Sequence, residues 1–263
     1  MKKIISNDGT EIAYDQQGQG RALILVDGAL CSRAFGPMAH LAELLAPHFT
    51  VYNYDRRGRG DSGDNRPYAL TREIEDLNAL IDEAGGSAFV FGTSSGACLA
   101  LEAASQLGDK IEKLAMYEPP YNSEEPFQQA WKEYRRDLNE LLAGDRRGDA
   151  AALFMKSVGT PDEQIGGMRR APVWQMFEAV APTLAYDAAA LGEDRSIPIE
   201  RAARVRVPTL VMNGTAIPFM LKTAQTLAES IPQAEHRTLE GQTHDVNLEV
   251  LAPVLVEFFS KTD

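Results

Sequence analysis

Cysteine is scarce in this chain: Cys31 and Cys98 are the only two in 263 residues, and they sit in unrelated contexts without metal-type spacing. That excludes a disulfide-stapled scaffold and a cysteine-based metal site, and the expectation is a pair of reduced thiols and no metal or cofactor. Positive charge is also in short supply, with 26 Lys and Arg against 38 Asp and Glu and a net charge of -12. Nucleic acid and anionic membrane surfaces both require a basic face, so neither is an expected partner. No apolar run approaches the length of a membrane span. Met1 to Gly9 carries two lysines with no leader-length apolar stretch behind them, which points to a cytoplasmic protein. Internal repeats and low-complexity tracts are missing as well.

What is present is 44% hydrophobic residues, enough for one substantial core or a core with an inserted subdomain. The densest signal is Ala88-Phe89-Val90-Phe91-Gly92-Thr93-Ser94-Ser95-Gly96-Ala97-Cys98-Leu99-Ala100-Leu101. It runs from an apolar β-type segment through G-x-S-x-G into an alanine-rich helical segment, the pattern of a nucleophile elbow. A serine that attacks a carbonyl must stand clear of its own backbone, and a sharp strand-to-helix turn flanked by glycines provides this. The helix N-terminus adds backbone N–H groups for a developing oxyanion.

Strand and helix signals alternate on both sides of the elbow, as expected for an α/β fold with a mostly parallel, doubly wound sheet. Residues 3–6 and 11–15, separated by Asn7-Asp8-Gly9, read as an opening hairpin. Strands are expected at 22–26, 50–55, 88–93, 111–117, 208–213 and 235–239, and helices at 37–46, 70–84, 218–230 and 248–260. Between about Tyr121 and Arg206 strand signals vanish, and helical segments are broken by Gly144, Gly148, Gly159, Pro161, Gly166-Gly167, Pro172, Pro182 and Gly192. The domain reading is therefore a core in two parts, 1–120 and 207–263, around an all-helical cap at 121–206.

A serine nucleophile needs a base that titrates near neutrality, and the chain has four histidines. His40 and His48 lie on or beside an early helix and His236 opens a strand. His244 follows the last expected strand in Gly241-Gln242-Thr243-His244, where loops gather at the C-terminal edge of a parallel sheet. The third member of such a site is usually an aspartate after the penultimate strand. Here that loop reads Asn213-Gly214-Thr215-Ala216-Ile217-Pro218, with Ile217 in place of the acid. Glu118, at the tip of the strand after the elbow helix, is the substitute, and Asp187, Glu193 and Asp194 of the insertion are the alternatives. Arg56, Arg57 and Arg59 read as a solvated cluster pairing with Asp61 and Asp64.

Asp27-Gly28-Ala29, the loop from Asp55 to Ser62, the Gly92 to Gly96 elbow and the His244 loop together resemble the α/β-hydrolase superfamily over essentially the whole chain. The Gly-x-Ser-Ser-Gly elbow, Glu118-Pro119-Pro120, Asp27-Gly28 and Pro172-Val173-Trp174 are similar to the fungal zearalenone lactone hydrolases, whose acid also follows the sixth strand. Some haloalkane dehalogenases share that placement. The resemblance implies a substrate-lining role for Trp174. An oxyanion hole is expected from the N–H of Ser95 with one from Ala29 or, next in order, Gly28.

The expected function is hydrolysis of a carboxylic ester or lactone of a mostly apolar small molecule through an acyl-enzyme, with a Ser94-His244-Glu118 triad. Trp131, Phe154, Met155, Trp174, Met176 and Phe177 are expected to roof the pocket. A thioesterase or acyltransferase on the same fold, or a ligand-binding protein without catalysis, is the alternative.

Overall fold

Strands β3 (Ala22–Val26), β5 (Ala88–Thr93) and β6 (Ile111–Tyr117) are near-continuous apolar runs because both of their faces are covered. They form the centre of the sheet in a computed structural model that describes residues 1–261. Around them lie β1 (Lys2–Ile5), β2 (Glu11–Gln17), β4 (Thr50–Tyr54), β7 (Thr209–Asn213) and β8 (Ala234–Thr238). Among the described residues the eight strands make one sheet in the order β1-β2-β4-β3-β5-β6-β7-β8. The β1–β2 and β2–β4 pairs are antiparallel and all others are parallel.

Alternate residues of each central strand feed opposite cores, as the two-residue period of a strand requires. Leu23, Leu25, Phe89, Phe91, Leu210 and Met212 face helices α1 (Met38–Leu45) and α11 (Leu248–Ser260). Ile24, Val26, Val90, Leu114, Met116 and Val211 face α2 (Leu70–Glu83), α3 (Ser95–Leu107) and α10 (Pro218–Ser230). The segment between β6 and β7 contains no strand among the described residues. It holds α4 (Glu125–Ala143), α5 (Arg147–Ser157), α6 (Asp162–Met168), α7 (Trp174–Val180), α8 (Leu184–Leu191) and α9 (Ile199–Ala202). Among the described residues no helix is long and apolar enough to cross a membrane.

The chain reverses its direction of growth at β3, which pairs with β4 on one side and β5 on the other. Ligand sites in open parallel sheets form at the carboxyl ends of the strands beside such a reversal. Val26 is level with Gly92 and Thr93 with Tyr117. The segments starting at Asp27, Ser94 and Glu118 therefore leave the sheet side by side.

Candidate active site

Ser94 turns β5 into α3 with φ 53° and ψ -128°, a left-handed conformation that a serine adopts only when its surroundings impose it. The flanking glycines are part of that imposition. A Cβ on Gly92 would lie 2.5 Å from Gly96 O, and one on Gly96 would collide with the carbonyls of Val26 and Asp27. The Ser94 N–H donates to Tyr117 O at 3.0 Å, tying the turn to the tip of β6.

Glu118 begins where β6 ends. Its side chain is fully buried, its φ is +46°, and its N–H donates to Met212 O at 2.9 Å. One carboxylate oxygen, Oε2, lies 2.6 Å from His244 Nδ1, and the other accepts from Gly214 N–H at 2.9 Å. The loop after β7 thus lacks a carboxylate but holds the one supplied by its neighbour. His244 is 38% exposed, and its loop is pinned at two points. Tyr117 donates its hydroxyl to Thr243 O at 2.5 Å, and Thr215 N–H donates to Gln242 O at 2.9 Å. Asp187, Glu193 and Asp194 have other partners: Arg56, Arg59 and Ser95 for the first, Arg135 on the Glu193 carbonyl, and Ser196 for the last. The Ser94 hydroxyl makes no hydrogen bond among the described residues. A serine–base bond often tightens only around a substrate.

Gly28 approaches the serine so closely that a Cβ on it would sit 3.1 Å from Ser94 Cβ. Its own N–H is engaged, donating to Asp27 Oδ1 at 2.8 Å. The N–H groups of Ala29 and Ser95 have no acceptor among the described residues. Of the two donors expected from the loop, Ala29 is the one left open. Burial raises the carboxyl of Asp27 to about 6, and its Oδ2 has no hydrogen-bond partner.

The arginines of the loop after β4 are not solvated. Arg56, Arg57 and Arg59 are all at least 98% buried, so pairing with Asp61 and Asp64 is replaced by interior partners. Arg57 binds Asp76 and Asp8, and Arg56 binds Glu73 at 2.7 Å. Arg56 and Arg59 converge on Asp187 of α8, which also accepts from Ser95 Oγ at 2.7 Å. Burial raises the Asp187 carboxyl, but Arg59 and Arg56 outweigh it and hold the group below the usual carboxylate range. Arg59 also donates to Gly28 O at 2.5 Å, at the other end of the peptide whose N–H belongs to Ala29. Asp61 instead pairs with Arg33, and Asp64 accepts from Tyr186. Three arginines crowded at one strand end were the available signal. Their burial depends on acids from residues 8, 73, 76 and 187, which no local pattern connects.

Sequence comparison places the chain in context. The family described as "Alpha/beta hydrolase family" matches residues 23–256, most of the chain. The chain belongs to the alpha/beta hydrolase family. An α/β hydrolase from Sphaerobacter thermophilus, solved as a crystal structure, is 51% identical with a TM-score of 0.86, covering 98% of this chain and 100% of that one. The hydrolase YraK of Bacillus subtilis is 30% identical over 115 residues, 42% of each chain. N-formylmaleamate deformylase of Pseudomonas putida is 35% identical over 106 residues, 39% of each chain. The matched segments thus span about two fifths of these curated relatives.

Four of the six side chains expected to roof a pocket, Trp131, Met155, Trp174 and Phe177, are buried. Trp174 is 6% exposed, edge-on to Phe177, with Arg169 over its ring and its Nε1 3.2 Å from Glu178 Oε1. It is buried in the helical layer and makes no hydrogen bond or ring contact to Ser94 or His244 among the described residues. Trp131 and Met155 are buried in the same layer, while Met176 is 43% exposed. Phe177 packs edge-on against Phe35, beyond the Asp27 loop, with ring centres 5.5 Å apart. Among the described residues no group of three or more His, Cys, Asp or Glu is arranged to hold a metal ion.

Proposed function

We propose that this α/β hydrolase cleaves a carboxylic ester or lactone through an acyl-enzyme, with Ser94 as nucleophile, His244 as base and Glu118 as the acid that orients it. The observation carrying the proposal is the 2.6 Å contact between His244 Nδ1 and a buried, cation-free Glu118 at the strand end beside the elbow. Glu118 keeps the proton on Nδ1, which leaves Nε2 to accept the proton of Ser94 as its Oγ attacks the carbonyl carbon. The tetrahedral oxyanion is received by the N–H groups of Ser95 and Ala29. Collapse expels the alkoxide, His244 returns the proton to it, and water activated by the same imidazole releases the acid. A lactone follows the same steps with the leaving hydroxyl still joined to the acyl chain. The layout resembles the zearalenone lactone hydrolases in the position of its acid.

An activated phosphonate probe that labels serine nucleophiles tests the proposal. Mass spectrometry is expected to find the adduct on Ser94, and the Ser94→Ala variant is expected to take up none. A folded wild-type protein that resists the probe would instead favour a ligand-binding role without catalysis.

A further inference from the structure

One arginine differs from all those of the buried cluster. Arg195 lies in the loop before α9 with φ 60°, its side chain largely withdrawn from solvent. Its Nε donates to Pro120 O, two residues beyond Glu118 and so within about 7.6 Å of it along the backbone. The guanidinium carbon is 5.5 Å from the centre of the Trp131 ring and 5.8 Å from that of Phe219. Among the described residues no carboxylate pairs with it, and the four N–H bonds of its two terminal nitrogens find no acceptor.

The loop is built to hold it there. Asn122 N–H donates to Arg195 O at 2.8 Å, Ser123 Oγ accepts from Ile197 N–H at 3.1 Å, and Trp131 Nε1 donates to Gly192 O at 3.0 Å. Asn122 is itself 3% exposed, and its side-chain N–H₂ lacks an acceptor. Arg195 and Asn122 thus both present side-chain N–H groups without an acceptor among the described residues.

A desolvated charge without a counter-ion is costly, and burial accordingly pulls the Arg195 guanidinium below its ordinary range. The chain has acids to spare, 38 against 26 basic residues, and it gives Arg56, Arg57 and Arg59 at least one carboxylate each. Leaving this fork unpaired beside the strand end that carries Glu118 makes sense if the anion arrives with a ligand. We propose that Arg195 binds a carboxylate carried by the substrate, so that the preferred esters or lactones are acid-bearing ones. The planar fork presents two parallel N–H groups to a carboxylate, and the Trp131 and Phe219 rings exclude water from the pair.

This inference rests on the hydrolase reading for its kinetic arm only. The first measurement compares mono(4-nitrophenyl) glutarate with 4-nitrophenyl valerate, which differ by a terminal carboxylate in place of a methyl group, after subtraction of uncatalysed hydrolysis. Wild type is expected to favour the glutarate in kcat/KM by on the order of tenfold to a hundredfold, the range of a hydrogen bond to a charged group. In Arg195→Gln the preference is expected to fall to about one, and Arg195→Lys is expected to keep part of it. The second measurement is calorimetric titration of glutarate into Ser94→Ala and into Ser94→Ala with Arg195→Lys, and it needs no turnover. The lysine is expected to weaken binding severalfold, because a point charge replaces the fork. Equal kcat/KM for the two esters in wild type overturns the proposal. So does an undiminished preference in Arg195→Gln, or glutarate affinity indifferent to Arg195→Lys. Failure of probe labelling at Ser94 leaves the calorimetric arm to decide the carboxylate site alone.

Discussion

Two buried acids flank the elbow, Glu118 on the sheet and Asp187 on the helical insertion, and their surroundings assign them different work. Glu118 meets one backbone N–H and one imidazole, with no cation in contact. Asp187 meets two guanidinium groups and the Ser95 hydroxyl. A carboxylate that must stabilise an imidazolium as it forms has to keep its charge available. One already neutralised by Arg56 and Arg59 has none to offer, and it acts as a tie between the insertion, the elbow and the Asp27 loop. Proximity to a serine in such a site is therefore a poor guide to role; the cation count around the acid is a better one.

The comparison breaks most completely if the serine is removed, because both acids then flank an inert group. Ser94→Ala is expected to lower ester hydrolysis by at least about a thousandfold in a contaminant-free preparation, with an unchanged circular dichroism spectrum. Next comes Glu118→Gln, expected to cut kcat by about two to four orders of magnitude with little change in KM, since an amide cannot balance the imidazolium charge. Ile217→Asp added to that variant offers a carboxylate from the next strand end, and partial recovery in the double mutant measures how far that loop can substitute. Wild-type turnover in Glu118→Gln would remove the distinction drawn between the two acids.

Asp187→Asn is expected to reverse the balance of effects. Leaving two buried guanidinium groups short of an anion costs about 3–5 kcal/mol of stability, read by denaturant unfolding. The loss in kcat should be only about tenfold, transmitted through Ser95 and the Gly28–Ala29 peptide that Arg59 clamps. A drop in kcat as deep as that of Glu118→Gln, at unchanged stability, would make Asp187 the more important acid.

The smallest effect belongs to Asp27, which has neither a direct cation partner nor an imidazole. Its folded value of about 6, raised first by burial, lies above the ordinary 3.8. The folded state therefore holds the extra proton, so this contribution is full below about pH 4 and is lost as pH rises through 6. A rise of this size corresponds to about 3 kcal/mol. Subtracting the Asp27→Asn unfolding profile from that of wild type should reveal a decline between pH 4 and 6 and a plateau above it. A flat difference would mean that Asp27 titrates normally.

The sheet was legible because its information is local. Strands such as Ala22–Val26 and Ile111–Tyr117 and helices such as Pro218–Ser230 coincide with the patterns that predict them, and other boundaries move by a residue or two where ends fray. The elbow was legible for the same reason, since the two glycines and the serine lie within five residues. The missing acid at Ile217 points to Glu118, and the structure brings Glu118 against His244 across 126 residues of sequence. The arginine seam was not legible. A guanidinium at a glycine-rich turn is solvated or buried according to acids that only the folded chain brings near, and Asp187 comes from the far side of the insertion. For Trp174 the short motif does not specify its neighbours, which the fold supplies as Phe177, Arg169 and Glu178.

Ser94 and Glu118 both sit in left-handed backbone at the tips of neighbouring strands. Such residues cost roughly 1–3 kcal/mol each, and glycine would adopt the same angles at no steric charge. The Ser94 hydroxyl makes no hydrogen bond among the described residues, so folding alone gives no reason to keep it, whereas Glu118 offsets part of its strain by holding Gly214 N–H and His244. A lineage released from the need for turnover would drift toward a sturdier, inert protein, and it would begin at Ser94.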